Sequence, residues 1–250
     1  MESKRDLFDI PRELAYLNTA YFGCFSNKTT ETAVEAAKIK SQPWYITIPD
    51  FFKDAEKARN LFASIINTET DNIALIPSAS YGFAIAAKNI ELSSSDTILL
   101  LSEQFPSNYY VWEEQSKLTG ARLSIVPRPE DDDWTNSVIN HIDSDKSIKL
   151  ISLENNHWTD GGLLDLPQIA NHIKDKNIKL LVDGTQSVGA LPTDVKKMNP
   201  DFLVVSGYKW LLGPYNLGFC YISPEFHENG QPLEHWWASK KNSDDVTSLT

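Results

Sequence analysis

The chain has 250 residues, 41% of them hydrophobic and 23% charged, with a formal net charge of −11. That charge, without a visible basic stripe, argues against nucleic acid as a main partner, and no apolar run approaches the ~20 residues of a membrane span. With no apolar leader in "MESKRDLFDIPREL" and with Cys24 and Cys220 the only cysteines, the expectation is a soluble cytoplasmic protein in which one disulfide stays open as an option.

In chain order, "YLNTAYFG" (16–23) reads as an extended lead-in segment, and the first ~50 residues follow no clear period. Ala58, Leu61, Phe62, Ile65 and Ile66 recur at helical spacing and predict a helix over 53–66. Strands are then expected at 72–77, 97–102, 122–127, 148–153, 179–183, 202–206 and 218–223, with helices at 80–90, 107–119, 134–142 and 166–176 between them. Several strands are unbroken apolar runs. That suits strands buried on both faces, in an α/β fold with a mainly parallel sheet covered by helices. The chain closes on "ENGQPLEHWWASKKNSDDVTSLT", where Trp236 and Trp237 have nothing in the sequence to cover them.

In such sheets ligands bind outside the carboxyl ends of the strands. The residues there are "PSAS" (77–80), "SEQFPSN" (102–108), "ENNHWTDGG" (154–162), "DGTQSVG" (183–189) and "SGYK" (206–209). There is no G-x-G-x-x-G, no G-x-x-x-x-G-K-[ST], no H-E-x-x-H and no C-x-x-C, and the five histidines lack metal-ligand spacing, so no metal is expected. Asp183 alone reads most simply as a helix cap or turn former, and Lys209 alone as a snorkelling lysine. Their strand ends are 26 residues apart (209 − 183), which suits neighbouring strands joined by one crossover. Both groups then face one crevice, either as a plain ion pair or as chemistry. A desolvated lysine amine attacks an aldehyde, and an aspartate holds a pyridine nitrogen protonated. Small residues opening the helix after "IALIP" leave backbone N–H groups for an anion, with Ser80 placed to add a hydroxyl; a simple helix cap reads equally well there.

Residues 14–223 resemble fold-type I pyridoxal phosphate enzymes of the class V aminotransferase and cysteine desulfurase group. The specific part is "LVDGTQSVGALPTDVKKMNPDFLVVSGYKWLLGPYNLGFCYIS" (181–223), where acid, glutamine and lysine fall in the family's register. The resemblance implies a three-layer αβα fold with a mainly parallel seven-stranded sheet. It divides the chain into a lead-in segment (1–30), a cofactor-binding large domain (31–225) and the start of a linker (226–250) to a small domain that is largely missing. The implied cofactor is pyridoxal 5'-phosphate, held by Lys209 as a Schiff base. Asp183 pairs with the pyridine nitrogen and Gln186 with the ring hydroxyl. Ala79, Ser80, Ser206 and Tyr208 hold the phosphate, and Phe105 stacks on the ring. Asn18 and Ala20 approach an amino acid substrate, and the site is built in a homodimer. Tyr208 and Phe105 stand where many cysteine desulfurases carry histidines, closer to isopenicillin-epimerase-like and kynureninase-like members. Trp158 or Thr159 stands where the family has an asparagine, and no role is carried over to either. The implied reaction is aminotransferase-like, with epimerisation or carbon–sulfur cleavage as alternatives. A non-catalytic cofactor-binding module, or a fragment that only associates with a partner subunit, is the competing reading, because the usual carboxylate-binding arginine falls beyond position 250.

Overall fold

The computed structural model describes residues 3–235, so Trp236, Trp237 and most of the expected linker lie outside the described residues. Seven strands form one sheet: β1 (Ile73–Ile76), β2 (Thr97–Leu101), β3 (Arg122–Val126), β4 (Ile148–Glu154), β5 (Lys179–Asp183), β6 (Phe202–Ser206) and β7 (Gly218–Ile222). Their order is β1-β7-β6-β5-β4-β2-β3. Strands β2 to β6 pair in parallel, whereas β7 is antiparallel to both neighbours, β1 and β6. The exception has a local cause. Only a short loop joins β6 to β7, and no helix carries the chain back across the sheet, so the strand must return antiparallel.

The helices are α1 (Asn27–Lys40), α2 (Asp50–Ile66), α3 (Ala79–Asn89), α4 (Pro106–Thr119), α5 (Trp134–Ser144), α6 (Leu166–Ile173), α7 (Val195–Met198) and α8 (Glu225–Asn229). Two apolar layers enclose the sheet. Leu99, Leu101, Val182, Leu203 and Val205 meet Phe62 of α2, Trp134 and Val138 of α5 and Ile169 of α6. Ile98, Leu100, Leu181, Phe202 and Val204 turn the other way, to Phe83 of α3 and Trp112 of α4. Alternate residues of each strand therefore serve opposite layers, which is why the strand sequences are apolar throughout. The result is the expected αβα sandwich.

Sequence and structure part company in the helical stripe of α2. Phe62, Ala63 and Ile66 are buried there, and Phe62 stacks on Phe219 with ring centroids 4.2 Å apart. Leu61 and Ile65, from the same periodic set, are 56% and 48% exposed. The sheet covers only the arc through positions 58, 62 and 66; the rest of the stripe faces outward. Helix α1, which no period announced, is capped by the Ser26 hydroxyl and buries none of its residues. Both cysteines are free thiols, and burial pushes the Cys220 thiol up to about 12, so the disulfide left open by the sequence is absent. Among the described residues no helix is long and apolar enough to cross a membrane.

Candidate active site

Strands β4, β5 and β6 end side by side. Glu154 pairs in register with Asp183, and Asp183 with Val204. Asp183 and the 206–209 stretch therefore do lie at adjacent strand ends, joined by one crossover through α7. A pocket opens there. Of the residues expected to contribute, Ala79, Phe105, Asp183, Gln186, Ser206, Tyr208 and Lys209 line it. Four others do too: Glu154, Asn156, Trp158 and Thr185.

Lys209 is only 6% exposed. Its Nζ lies 5.2 Å from the Phe105 ring centroid and 5.9 Å from that of Tyr208. Burial holds its amine below the ordinary lysine value, against the pull of Asp183 and then Glu154. Lys209 is thus drier, and more readily neutral, than a surface lysine. Phe105 and Tyr208 form its apolar walls. Trp210, next to Lys209 in the sequence, does not line the pocket; its indole N–H donates to Gln186 Oε1 at 2.9 Å.

Asp183 is buried at the end of β5. Burial pushes its carboxyl up, and the Thr185 N–H, the Thr185 hydroxyl and Lys209 oppose that. The Thr185 amide donates to Asp183 Oδ1 at 2.9 Å, and the Thr185 hydroxyl accepts from the Ser206 amide at 3.1 Å. One threonine thereby fixes the carboxylate and ties the ends of β5 and β6 together.

The helix N-termini of α3 and α4 meet at the pocket rim. Ser78 caps α3, accepting from the Tyr81 amide at 3.2 Å, so the capping role belongs to Ser78 and not to Ser80. The Ser80 hydroxyl instead lies 3.0 Å from that of Ser107. Two hydroxyls at two helix starts, with first-turn N–H groups that have no intrahelical partner, suit an anion.

The lead-in segment closes over the lysine loop. Ala20 O accepts from Gln186 Nε2 at 3.0 Å, and the Gly23 amide donates to Tyr208 O at 2.8 Å. A Cβ on Gly23 would lie 2.1 Å from Lys209 O, so only glycine permits this approach. Phe22 packs on Tyr208 and Tyr215 with centroids 5.2 and 6.0 Å away. Ala20 thus reaches the site through its carbonyl. Asn18 does not line the pocket; its own carbonyl accepts from Tyr21 and Phe22.

Of the four pocket residues that the sequence did not single out, Glu154 is the most deeply buried. It is 3% exposed. Burial, then the neighbouring Asp183, pushes its carboxyl up to about 8, against the N–H groups of Phe105 and Trp158 and the charge of Lys209. The available signal was its place at the end of an apolar strand next to that of Asp183.

A model of the family described as "Aminotransferase class-V" matches residues 48–238. The chain is 30% identical over 182 residues to a probable cysteine desulfurase of Pyrococcus abyssi, covering 71% of this chain and 44% of that one. It is 24% identical over 184 residues to an isopenicillin N epimerase of Streptomyces clavuligerus, covering 73% and 46%. A solved structure of a C-DES mutant with glycine covalently linked to its PLP cofactor superposes with a TM-score of 0.84 at 20% identity, covering 94% of this chain and 63% of that one. The chain therefore spans less than half the length of these two relatives.

Proposed function

The chain belongs to the class-V aminotransferase family, and from that premise we propose that its pocket holds pyridoxal 5'-phosphate and acts on an amino acid. The observation that carries this reading is a buried lysine amine and a buried aspartate in one pocket, beside aromatic walls. The donor set fits the group: an amine for the aldehyde, a carboxylate for the ring nitrogen, Phe105 for the ring face, and Ala79, Ser80 and Ser107 for the phosphate. When bound, the cofactor supplies an electron-withdrawing ring on which an amino acid's Cα–H bond is weakened.

The protein's part is to position and to move protons. Lys209 Nζ attaches the cofactor and then carries the Cα proton, a task helped by its lowered proton affinity. Asp183 keeps a negative charge at the ring nitrogen, steadied by Thr185. Ser206 and Tyr208 complete the phosphate end. Gln186, whose amide already bridges Ala20 and Trp210, has a second amide hydrogen to offer the ring hydroxyl. Loss of the Cα proton is common to transamination, epimerisation and carbon–sulfur cleavage, so this site serves as the start of any of them. An aminotransferase-like reaction is the primary reading.

The test is covalent trapping. The chain mixed with pyridoxal phosphate, reduced with borohydride and digested will carry one pyridoxyl group on the peptide containing Lys209. A label that is missing, or spread over surface lysines according to exposure, would sink the reading. A second reading has its own support: no arginine lines this pocket among the described residues. A cofactor-binding fragment that takes the label but shows no spectral change with any amino acid would fit that version alone.

A homodimer is the matching assembly. Trp44, Tyr45 and Phe51 are 73%, 71% and 64% exposed, and Leu61 and Ile65 are 56% and 48% exposed, large apolar side chains that a partner subunit would cover. Sedimentation at micromolar concentration will show a dimer; a monomer would remove the proposal.

A further inference from the structure

Both oxygens of Glu154 are engaged by backbone. Oε1 accepts from the Phe105 amide at 2.6 Å, and Oε2 from the Trp158 amide at 2.9 Å. These amides belong to different loops, 49 residues before Glu154 and 4 after it. Each loop carries one ring of the pocket wall, and the two rings meet edge to face with centroids 5.5 Å apart. A second strap runs beside the first, from the Trp158 indole N–H to Glu103 O at 2.7 Å. Glu103 itself sits at φ 55°, a left-handed conformation that a glutamate adopts only when its surroundings impose it. Behind the wall, His157 is fully buried. Its Nε2 lies 3.0 Å from Ser102 O, and its ring stacks on Trp134 with centroids 4.7 Å apart. Consecutive residues thus point inward and over the pocket.

We propose that Glu154 is a positioning residue of this site: one carboxyl sets the spacing of the two loops that present Phe105 and Trp158, and so fixes the aromatic wall against Lys209. The charged groups facing it are Asp183 from β5 and Lys209 from the β6–β7 loop. A carboxyl is suited to the task because it offers acceptors on both sides. An amide offers one acceptor, and its NH2 then opposes a backbone N–H. A buried donor left without a partner is costly, which makes the tie selective for Glu. The fivefold to hundredfold range of that cost sets the scale of the expected effects.

The proposal rests on reading the pocket as a cofactor site only for what the wall is set against. Its test is amide hydrogen exchange, read by mass spectrometry on the cofactor-free chain, in wild type, Glu154→Gln and Glu154→Asp. Exchange is expected to rise about tenfold in one of the peptides spanning 102–106 and 155–160 in Glu154→Gln, which keeps a single acceptor, and in both peptides in Glu154→Asp, which is too short to reach both loops. In wild type the protection of these peptides, corrected for intrinsic rates, falls as pH rises toward 8, because opening lets Glu154 ionise; in Glu154→Gln it stays flat. A residue that merely fills space would give no such difference in pH profile. The same Glu154→Gln change is expected to weaken pyridoxal phosphate binding about tenfold. Exchange in Glu154→Gln and Glu154→Asp that matches wild type at every pH overturns the proposal. Failure of wild type to take the pyridoxyl label would sink the cofactor reading instead, so the two failures are distinguishable.

Discussion

Asp183→Asn will weaken pyridoxal phosphate binding about a hundredfold and, in the same protein, lower the pH at which Lys209 reacts. The first effect follows from losing a charge-assisted hydrogen bond in a buried place, a loss of roughly 3 kcal/mol. The second follows from the lysine's surroundings. Burial lowers its proton affinity, and Asp183 is the main influence restoring it. With the charge gone the amine becomes neutral at lower pH. Asparagine keeps an oxygen for the Thr185 amide that now donates to Asp183 Oδ1, so the strand end is retained. Absorbance titration measures the first effect. The pH profile of cofactor-free Lys209 labelling by an amine-reactive probe measures the second. Unchanged affinity would remove Asp183 from the ring nitrogen; an unshifted profile would remove it as the neighbour that sets the lysine.

Glu154→Gln will flatten the decline of stability with pH. In the folded chain the Glu154 carboxyl keeps its proton up to about 8, against an ordinary value of 4.5. Between those values the unfolded chain binds fewer protons than the folded one, so stability falls as pH rises. A raised carboxyl has this sign; a lowered one would give the reverse. From pH 5 to pH 8 the wild type is expected to lose roughly 3 kcal/mol more than the variant, or about 8 °C in melting temperature for a chain of this size. Urea unfolding at the two pH values measures it. Equal slopes in the two proteins would show that Glu154 ionises as freely folded as unfolded. The contrast with the exchange experiment is instructive: the same substitution loosens the pocket wall locally while relieving the whole fold at alkaline pH. That combination is expected of a residue kept for a site at a cost in stability.

Much of the fold was legible because the sheet is buried on both faces. "TILLL" and "FLVVS" have no polar face to disguise, and each apolar run marks a strand. The Asp183–Lys209 pairing was legible for a related reason: strand ends are easy to place, and one crossover separates them. What stayed hidden depends on contacts rather than periods. Helix α1 buries nothing, so no stripe could announce it. Leu61 and Ile65 kept the helical period and still face out, since spacing alone says nothing of how wide a surface the sheet offers. Glu154 left only the signal of its strand end, because its partners are main-chain N–H groups, one of them 49 residues away, and backbone donors leave no mark in a sequence. Adjacency to Lys209 likewise says nothing of where Trp210 goes: a side chain with a donor goes where an acceptor is, and that acceptor is Gln186.

The closing of the lead-in segment over the lysine loop bears on the order in which the molecule can be made. The carbonyl that receives the Gly23 amide belongs to Tyr208, 185 residues later (208 − 23). During synthesis the segment therefore leaves the ribosome well before its docking surface does. Until then Phe22 has neither Tyr208 nor Tyr215 to pack against. Strands β2 to β6 can pair without it, so the lead-in segment covers the pocket only after its floor exists. A nascent chain halted before residue 208 would hold Asp183 and Phe105 in place, with the segment that covers the site still waiting.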